Sequence, residues 1–98
     1  MASTPEGKVK MKITKLLDSY DGSLYYWMPV PSGFGTRQVD YVGVHKGQFF
    51  CIEAKKPGGK PTPLQYEFMK CVDRAGGAWF VVDDDVSLAQ VKGWLDRK

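Results

Sequence analysis

Two acidic residues fall opposite each other in a predicted β-hairpin. Strand-like runs cover residues 38–44 and 48–55, and the turn between them centres on Lys46-Gly47. In the register set by a two-residue turn, Asp40 lies directly opposite Glu53, whereas a three-residue loop would move Asp40 to the other face of the sheet. The two-residue turn therefore predicts a pair of carboxylates on one face of the hairpin.

Paired carboxylates in this setting suit metal-dependent chemistry. Directly opposed side chains have Cβ atoms about 5 Å apart, and like charges at that distance are destabilising. Apolar residues alternate through the second strand, which indicates burial, so the acidic pair needs a cation or a shared proton. Hard oxygen ligands favour Mg²⁺ or Mn²⁺. Lys55 shares the face of Glu53 and is placed to orient a water or stabilise a phosphate, so the predicted chemistry is phosphodiester hydrolysis.

The same residues have simpler interpretations, which the sequence leaves open. Asp40, Glu53 and Lys55 would also suit an exposed salt-bridge ladder on a half-solvated hairpin. Glu6 complements the dipole of the first helix, yet it extends the apolar stripe of that helix and is a candidate ligand or water-holding group. Gln65 stands at the reciprocal position of a capping box, the role that the sequence alone favours.

Basic residues flank the predicted site in loops rich in glycine and proline, where phosphate contacts are plausible. These residues are Arg37, Lys56 and Lys60. The lysines of the first helix are typical of a solvated face, and among Lys8, Lys12 and Lys15 we keep Lys8 as a candidate DNA contact. The net charge of +3 is compatible with a phosphate-binding surface but does not establish one. His45 and Lys46 are interpreted as turn residues.

The elements that must position these side chains follow from hydrophobic periodicity and from capping and turn residues. The predicted order is helix, three strands, helix, strand, helix, in one domain spanning residues 1–98. The predicted helices cover residues 5–18, residues from Pro63 to the Gly76-Gly77 stop, and a segment after Asp83-Asp84-Asp85; the strands cover 24–28, 38–44, 48–55 and 78–82. The stripe expected to bury the second helix is Leu64, Phe68, Cys71, Val72 and Ala75. This order indicates an α/β fold with a central mixed sheet flanked by helices.

Composition excludes several classes of protein. No apolar run approaches the roughly 20 residues of a membrane span, and the N-terminus lacks the pattern of a secretory signal, so we expect a cytoplasmic protein without membrane partners. Two cysteines are too few for a secreted disulfide framework, and a single histidine leaves a structural zinc site without ligands.

The motif resembles a known family. Asp40, twelve intervening residues and then Glu53-Ala54-Lys55 resemble the metal-binding signature of the PD-(D/E)XK nucleases. The helix with an early Glu6, the order of the strands and the glutamine that opens the second helix resemble the VRR-NUC branch, especially its small standalone bacteriophage members. Val39 departs from the pattern, because the family usually has proline directly before the metal-binding aspartate.

The resemblance implies a site and a set of partners. Asp40, Glu53 and the carbonyl of Ala54 would bind Mg²⁺ or Mn²⁺, Lys55 would be catalytic, and Glu6 and Gln65 would be further active-site residues. DNA would be the substrate, with branched DNA such as Holliday junctions as a candidate, and a homodimer is expected. The aromatic run Tyr25-Tyr26-Trp27 also exceeds what one short strand needs to bury. The alternatives are a non-catalytic nucleic-acid-binding module and a plain protein-interaction domain.

Overall fold

The computed structural model describes residues 4–20, 22–30 and 39–97. The elements are α1 (Pro5–Asp18), β1 (Leu24–Trp27), β2 (Tyr41–His45), β3 (Gln48–Ala54), α2 (Pro63–Arg74), β4 (Ala78–Val82) and α3 (Asp85–Asp96). This is the predicted order, and the bounds of α1 and β4 are also those expected from the sequence. No helix within the described ranges is long and apolar enough to cross a membrane.

The four strands form one mixed sheet in the order β1-β2-β3-β4. β1 pairs antiparallel with β2, β2 antiparallel with β3, and β3 parallel with β4. His45 pairs with Gln48 and Tyr41 with Ile52, which confirms the register predicted for the hairpin. The two central turn residues, Lys46 and Gly47, both have positive φ (48° and 84°), as a tight hairpin turn requires.

Strand β2 begins later than predicted. Val39 and Asp40 precede its first residue, Tyr41, and the predicted start at Gln38 lies outside the described residues. Asp40 is therefore not part of the regular ladder. Its backbone amide is free to bond a side chain instead of a neighbouring strand, which matters for the site described below.

Helices cover both faces of the sheet. α1 and α3 pack on one face. Every second side chain of β3, including Ile52, points to this face and packs against Ile13, Leu17, Val91 and Leu95. α2 packs on the other face. Since neighbouring residues of a strand point to opposite faces, β3 presents apolar side chains to both layers, and every residue from Phe50 to Ala54 is buried.

Helix α2 buries a different stripe from the one predicted. Met69 and Val72 are its buried residues and Phe68 is partly buried, whereas Leu64, Cys71 and Ala75 are exposed. The residues that pack with this side of the helix are Val39, Val42, Cys51 and Val81, so the helix covers parts of β2, β3 and β4. The buried side of α2 is centred on Met69, a residue that the predicted stripe did not include.

Two further expectations need correction. The unbroken apolar run of β4 is typical of a buried strand, but β4 lies at the edge of the sheet, and Trp79 on it is 40% exposed. His45 is a buried residue of β2, not only a turn residue. Its ring nitrogens lie 3.0 Å from the carbonyl oxygens of Ser23 and Leu95, so the imidazole ties the start of β1 and the end of α3 to the hairpin.

Candidate active site

The end of the hairpin brings Asp40 and Glu53 together through reciprocal hydrogen bonds. The backbone amide of Ala54 donates to Asp40 Oδ2 over 2.9 Å, and the backbone amide of Asp40 donates to Glu53 Oε1 over 3.2 Å. Each carboxylate thus accepts from the strand that carries the other. These bonds replace the ladder contacts that are missing where β2 begins, and they fix both side chains at the edge of the core.

Glu53 is almost completely buried, with only 2% of its surface exposed. Its Oε2 accepts a hydrogen bond from Gln65 Nε2 over 2.8 Å and lies 3.2 Å from Lys55 Nζ. Burial, followed by the nearby charge of Asp40, raises the pKa of Glu53 to about 7, although Lys55 and the Asp40 amide oppose the rise. Burial therefore makes the ionised form of Glu53 costly even with the ammonium of Lys55 beside it.

Glu53 has an apolar neighbour, Cys51, on the same face of β3. Cys51 is fully buried, and burial together with the charge of Glu53 raises the pKa of its thiol to about 12. Water is therefore largely excluded on this side of the carboxylate. Electrostatic interactions in such a setting are stronger than at an exposed surface.

Gln65 completes the capping box that the sequence alone favours, and its side chain also contacts Glu53. The side-chain Oε1 of Gln65 accepts from the Thr62 backbone amide over 2.9 Å, and the backbone amide of Gln65 donates to Thr62 Oγ1 over 3.2 Å. These two bonds complete a capping box at the start of α2. Because the side-chain oxygen is used in the cap, the amide nitrogen is left to donate to Glu53. The cap of α2 thus aims a hydrogen-bond donor into the site.

Two lysines neutralise the acidic pair. Lys55, whose side chain is 18% exposed, pairs with Glu53, and Lys10 Nζ lies 3.4 Å from Asp40 Oδ1. Burial lowers the pKa of Lys10, but the charge and hydrogen bond of Asp40, with help from Glu6, outweigh it and raise the pKa overall. Sequence analysis did not select Lys10. The signal was its spacing of four residues from Glu6, which places both on one side of α1.

Glu6 lies at the margin of the site. Its Oε2 is 3.7 Å from Lys10 Nζ and its side chain is 42% exposed. Lys10 therefore stands between Glu6 and Asp40. In this arrangement the Lys10 ammonium separates Glu6 from Asp40, and Glu6 could bind a metal ion together with Asp40 only if Lys10 moved.

The candidate DNA contacts are distributed around the site. Lys56 and Lys60 are exposed in the loop that leads from β3 to α2, a loop held by the Gly59 amide on the Lys56 carbonyl at 2.8 Å and by the Gly58 amide on Asp83 Oδ2 at 3.0 Å. Lys8 is exposed on α1, in a groove of about 330 Å³ that Asp83, Asp84 and Asp85 also line. Arg37 lies outside the described residues.

The donors available to a divalent ion are the two carboxylates and the nearby backbone. No group of three or more His, Cys, Asp or Glu side chains suited to a metal occurs in the part of the chain that the structure describes. Mg²⁺ commonly uses one or two carboxylates and keeps several waters, so a pair of hard oxygen ligands is a suitable donor set for it. Asp40 and Glu53 thus fit a magnesium or manganese ion by number and by chemistry.

Comparison of the chain with models of protein families and with curated proteins found no match.

Proposed function

We propose that this protein is a divalent-metal-dependent nuclease that hydrolyses DNA phosphodiester bonds with Asp40, Glu53 and Lys55. The observation that carries the proposal is the buried Glu53 carboxyl, whose pKa is raised to about 7 beside a second carboxylate. Burying a carboxyl beside a second, partly exposed carboxylate is costly for a fold. Groups with pKa values shifted by burial and by like charge are concentrated at functional sites.

A divalent ion would stabilise the ionised forms of both carboxylates. Asp40, Glu53 and the carbonyl oxygen of Ala54 would hold Mg²⁺ or Mn²⁺, and the bound ion would supply Lewis-acid polarisation of the phosphate and a more acidic water. Ala54 already contacts the pair, because its amide donates to Asp40. That bond orients the aspartate, as groups that support a ligand commonly do.

The remaining side chains have separate tasks in the proposed reaction. Lys55 places its ammonium beside Glu53, where it can hold an attacking water or stabilise charge that develops on the phosphate. Gln65 keeps the Glu53 carboxylate in one orientation by donating to Oε2. Glu6 acts from the margin, through Lys10, as a water-holding group. Water exclusion behind Glu53 strengthens each of these interactions.

DNA would approach over the loops beside the site. Lys56 and Lys60 are the described loop lysines that could contact its phosphates, and Arg37 is a further candidate from the sequence. Lys8 is the weaker candidate, because three aspartates line the same groove and would repel a polyanion.

The proposed family is the VRR-NUC branch of the PD-(D/E)XK nucleases, and the proposed assembly is a homodimer acting in the cytoplasm on DNA that includes branched forms. The α-β-β-β-α-β-α order supports the family, and the exposed aromatic residues of β1 support the homodimer. Tyr25 and Trp27 are 67% and 48% exposed, while Tyr26 packs against the core. A two-fold interface at this edge strand would hold two active sites at a fixed distance, which suits a four-way junction.

Calorimetric titration with Mn²⁺, combined with cleavage of linear, flapped and four-way DNA, tests this function. We expect wild-type protein to bind Mn²⁺ and to cut at least one of these DNAs, with EDTA abolishing the cut. Asp40→Asn should lose both properties, whereas Asp73→Asn, which changes an exposed acid at the end of α2, should keep them. Retention of both properties by Asp40→Asn would exclude this site.

A non-catalytic nucleic-acid-binding module is the second candidate. The observation that favours it is that each carboxylate already has an ammonium close by, at 3.2 Å for Glu53 and 3.4 Å for Asp40. On this alternative the lysines replace the metal, and the protein binds DNA without cutting it. DNA binding that is unaffected by EDTA, together with no cleavage of any of the DNAs, would support the module over the enzyme.

A further inference from the structure

Lys10 joins the acidic pair to an open surface. Its ammonium lies 3.4 Å from Asp40 and 3.7 Å from Glu6, and 35% of its side chain is exposed. A lysine buried among acids would be a fixed counterion. The partial exposure of Lys10 means that its flexible side chain has room to turn away from Asp40 without crossing the core.

The surface that Lys10 reaches is a groove along α1, which we call the α1 groove. It has a volume of about 660 Å³ and is lined by Gly7, Lys10, Met11, Thr14, Lys15, Asp18, Ser19, Met28 and Tyr41. It adjoins the acidic pair, because Lys10, which lines it, lies 3.4 Å from Asp40. Met11 and Met28 are 60% and 47% exposed, and they offer adaptable apolar contacts to a sugar or a base.

Charge distinguishes the α1 groove from the groove on the other side of the same helix. The α1 groove contains two lysines and one acid, Asp18, and that acid accepts a hydrogen bond from the Tyr26 hydroxyl. The other groove contains two lysines and three aspartates, and Lys12 there is paired with Asp85 at 2.8 Å. The lining of the α1 groove therefore contains fewer acids than that of the other groove, which favours a polyanionic strand in the α1 groove.

We propose that Lys10 is a phosphate-binding residue that shields Asp40 in the metal-free protein and turns into the α1 groove when a divalent ion takes its place. There it binds the backbone phosphate next to the one that is cut. This inference rests on the proposed nuclease function. It assigns the path of the DNA strand beyond the acidic pair, along α1.

The proposal predicts opposite effects on two ligands when the charge of Lys10 is removed. Divalent ions should bind more tightly, by about two- to fivefold, because they no longer displace an ammonium from a partly exposed ion pair. DNA should bind more weakly, and the slope of log affinity against log salt should fall by about one, because one phosphate contact is lost. An ion pair that only stabilises α1 predicts neither change.

The experiment compares Lys10→Met and Lys10→Arg with a matched control, Lys92→Met. Lys92 also forms an i,i+4 pair with an acid, Asp96, but on α3. Mn²⁺ affinity is measured calorimetrically without DNA, and DNA affinity is measured by fluorescence anisotropy in Ca²⁺ over a series of salt concentrations. We expect both effects in Lys10→Met, near-wild-type behaviour in Lys10→Arg, and no effect in Lys92→Met.

Unchanged or weaker Mn²⁺ binding by Lys10→Met would overturn the shielding of Asp40, and an unchanged salt slope would overturn the phosphate contact. Either result in a protein whose wild type binds Mn²⁺ and cuts DNA would leave the nuclease function standing and reject this inference alone. Failure of the wild-type protein to bind Mn²⁺ would instead reject the proposed function, and the role of Lys10 would be rejected with it.

Discussion

Replacement of Glu53 by glutamine tests the electrostatics of the site through folding stability. The pKa of Glu53 is raised to about 7 from an ordinary value of 4.5, so the folded protein holds this proton more tightly than the unfolded chain does. The stabilising contribution is therefore fully present below pH 4.5 and is lost as the pH rises through about 7. Glutamine does not titrate, and the variant should lack this contribution to the pH dependence.

The expected size follows from the two pKa values. A shift from 4.5 to about 7 corresponds in full to about 3 kcal/mol of unfolding free energy. Most of this, about 2 to 3 kcal/mol, falls between pH 5 and pH 8, since the glutamate of the unfolded chain has partly ionised at pH 5. The difference in unfolding free energy between Glu53→Gln and wild type should change by this amount, in favour of the variant at the higher pH.

The absolute stability of the variant is a less direct measure. Both carboxylate oxygens of Glu53 face donors, since Oε2 lies beside Gln65 and Lys55 and Oε1 accepts from the Asp40 amide, so the amide nitrogen of glutamine would face a donor in either orientation. That mismatch lowers stability, but it does so at every pH. Only the change with pH reports the titration of the carboxyl.

Urea unfolding followed by tryptophan fluorescence, in EDTA and at half-unit steps from pH 5 to pH 8, measures this difference. Asp73→Asn is the control, because it removes an exposed acid elsewhere. Saturating Mg²⁺ should restore the stability of the wild type at pH 8, since a ligand of the folded state stabilises it by mass action. Parallel pH curves for wild type and Glu53→Gln would refute the reasoning, because Glu53 would then titrate alike in folded and unfolded chains.

Three further predictions concern catalysis and assembly. Lys55→Met should keep Mn²⁺ affinity but slow single-turnover cleavage by about 10²- to 10³-fold; an equal loss of metal affinity would make Lys55 part of the metal site. Gln65→Glu keeps an acceptor for the Thr62 amide, so we expect near-normal melting in Mg²⁺ with cleavage abolished, and wild-type cleavage would contradict its role at Glu53. Light scattering at micromolar concentration should give twice the chain mass for wild type and a smaller mass for Trp27→Ser, whereas a wild-type monomer would remove the proposed dimer.

Local signals in the sequence were sufficient to predict the hairpin and the helix ends. The Lys46-Gly47 turn set the register, and that register placed Asp40 beside Glu53. Thr4 and Thr62, each directly before a proline, cap the starts of α1 and α2 with their side chains. These features depend on neighbours within a few residues, so the sequence contains nearly all of the information that determines them.

Features that depend on distant contacts could not be predicted in the same way. The burial of His45 depends on the carbonyl of Leu95, fifty residues away, and the role of Lys10 depends on an aspartate thirty residues away. The buried stripe of α2 depends on where the helix lies against β3 and β4. Periodicity gives the apolar residues of a helix, but packing decides which of them are covered.

Single-turnover cleavage of end-labelled DNA in Mn²⁺, by wild-type protein and Glu53→Gln side by side, tests the central claim most directly. The buried carboxylate beside Asp40 is the feature on which the proposed nuclease depends. We predict cleavage by the wild type that EDTA abolishes, and none by the folded variant. Equal cleavage by both proteins, or binding of every DNA tested without any cleavage by the wild type, would contradict it.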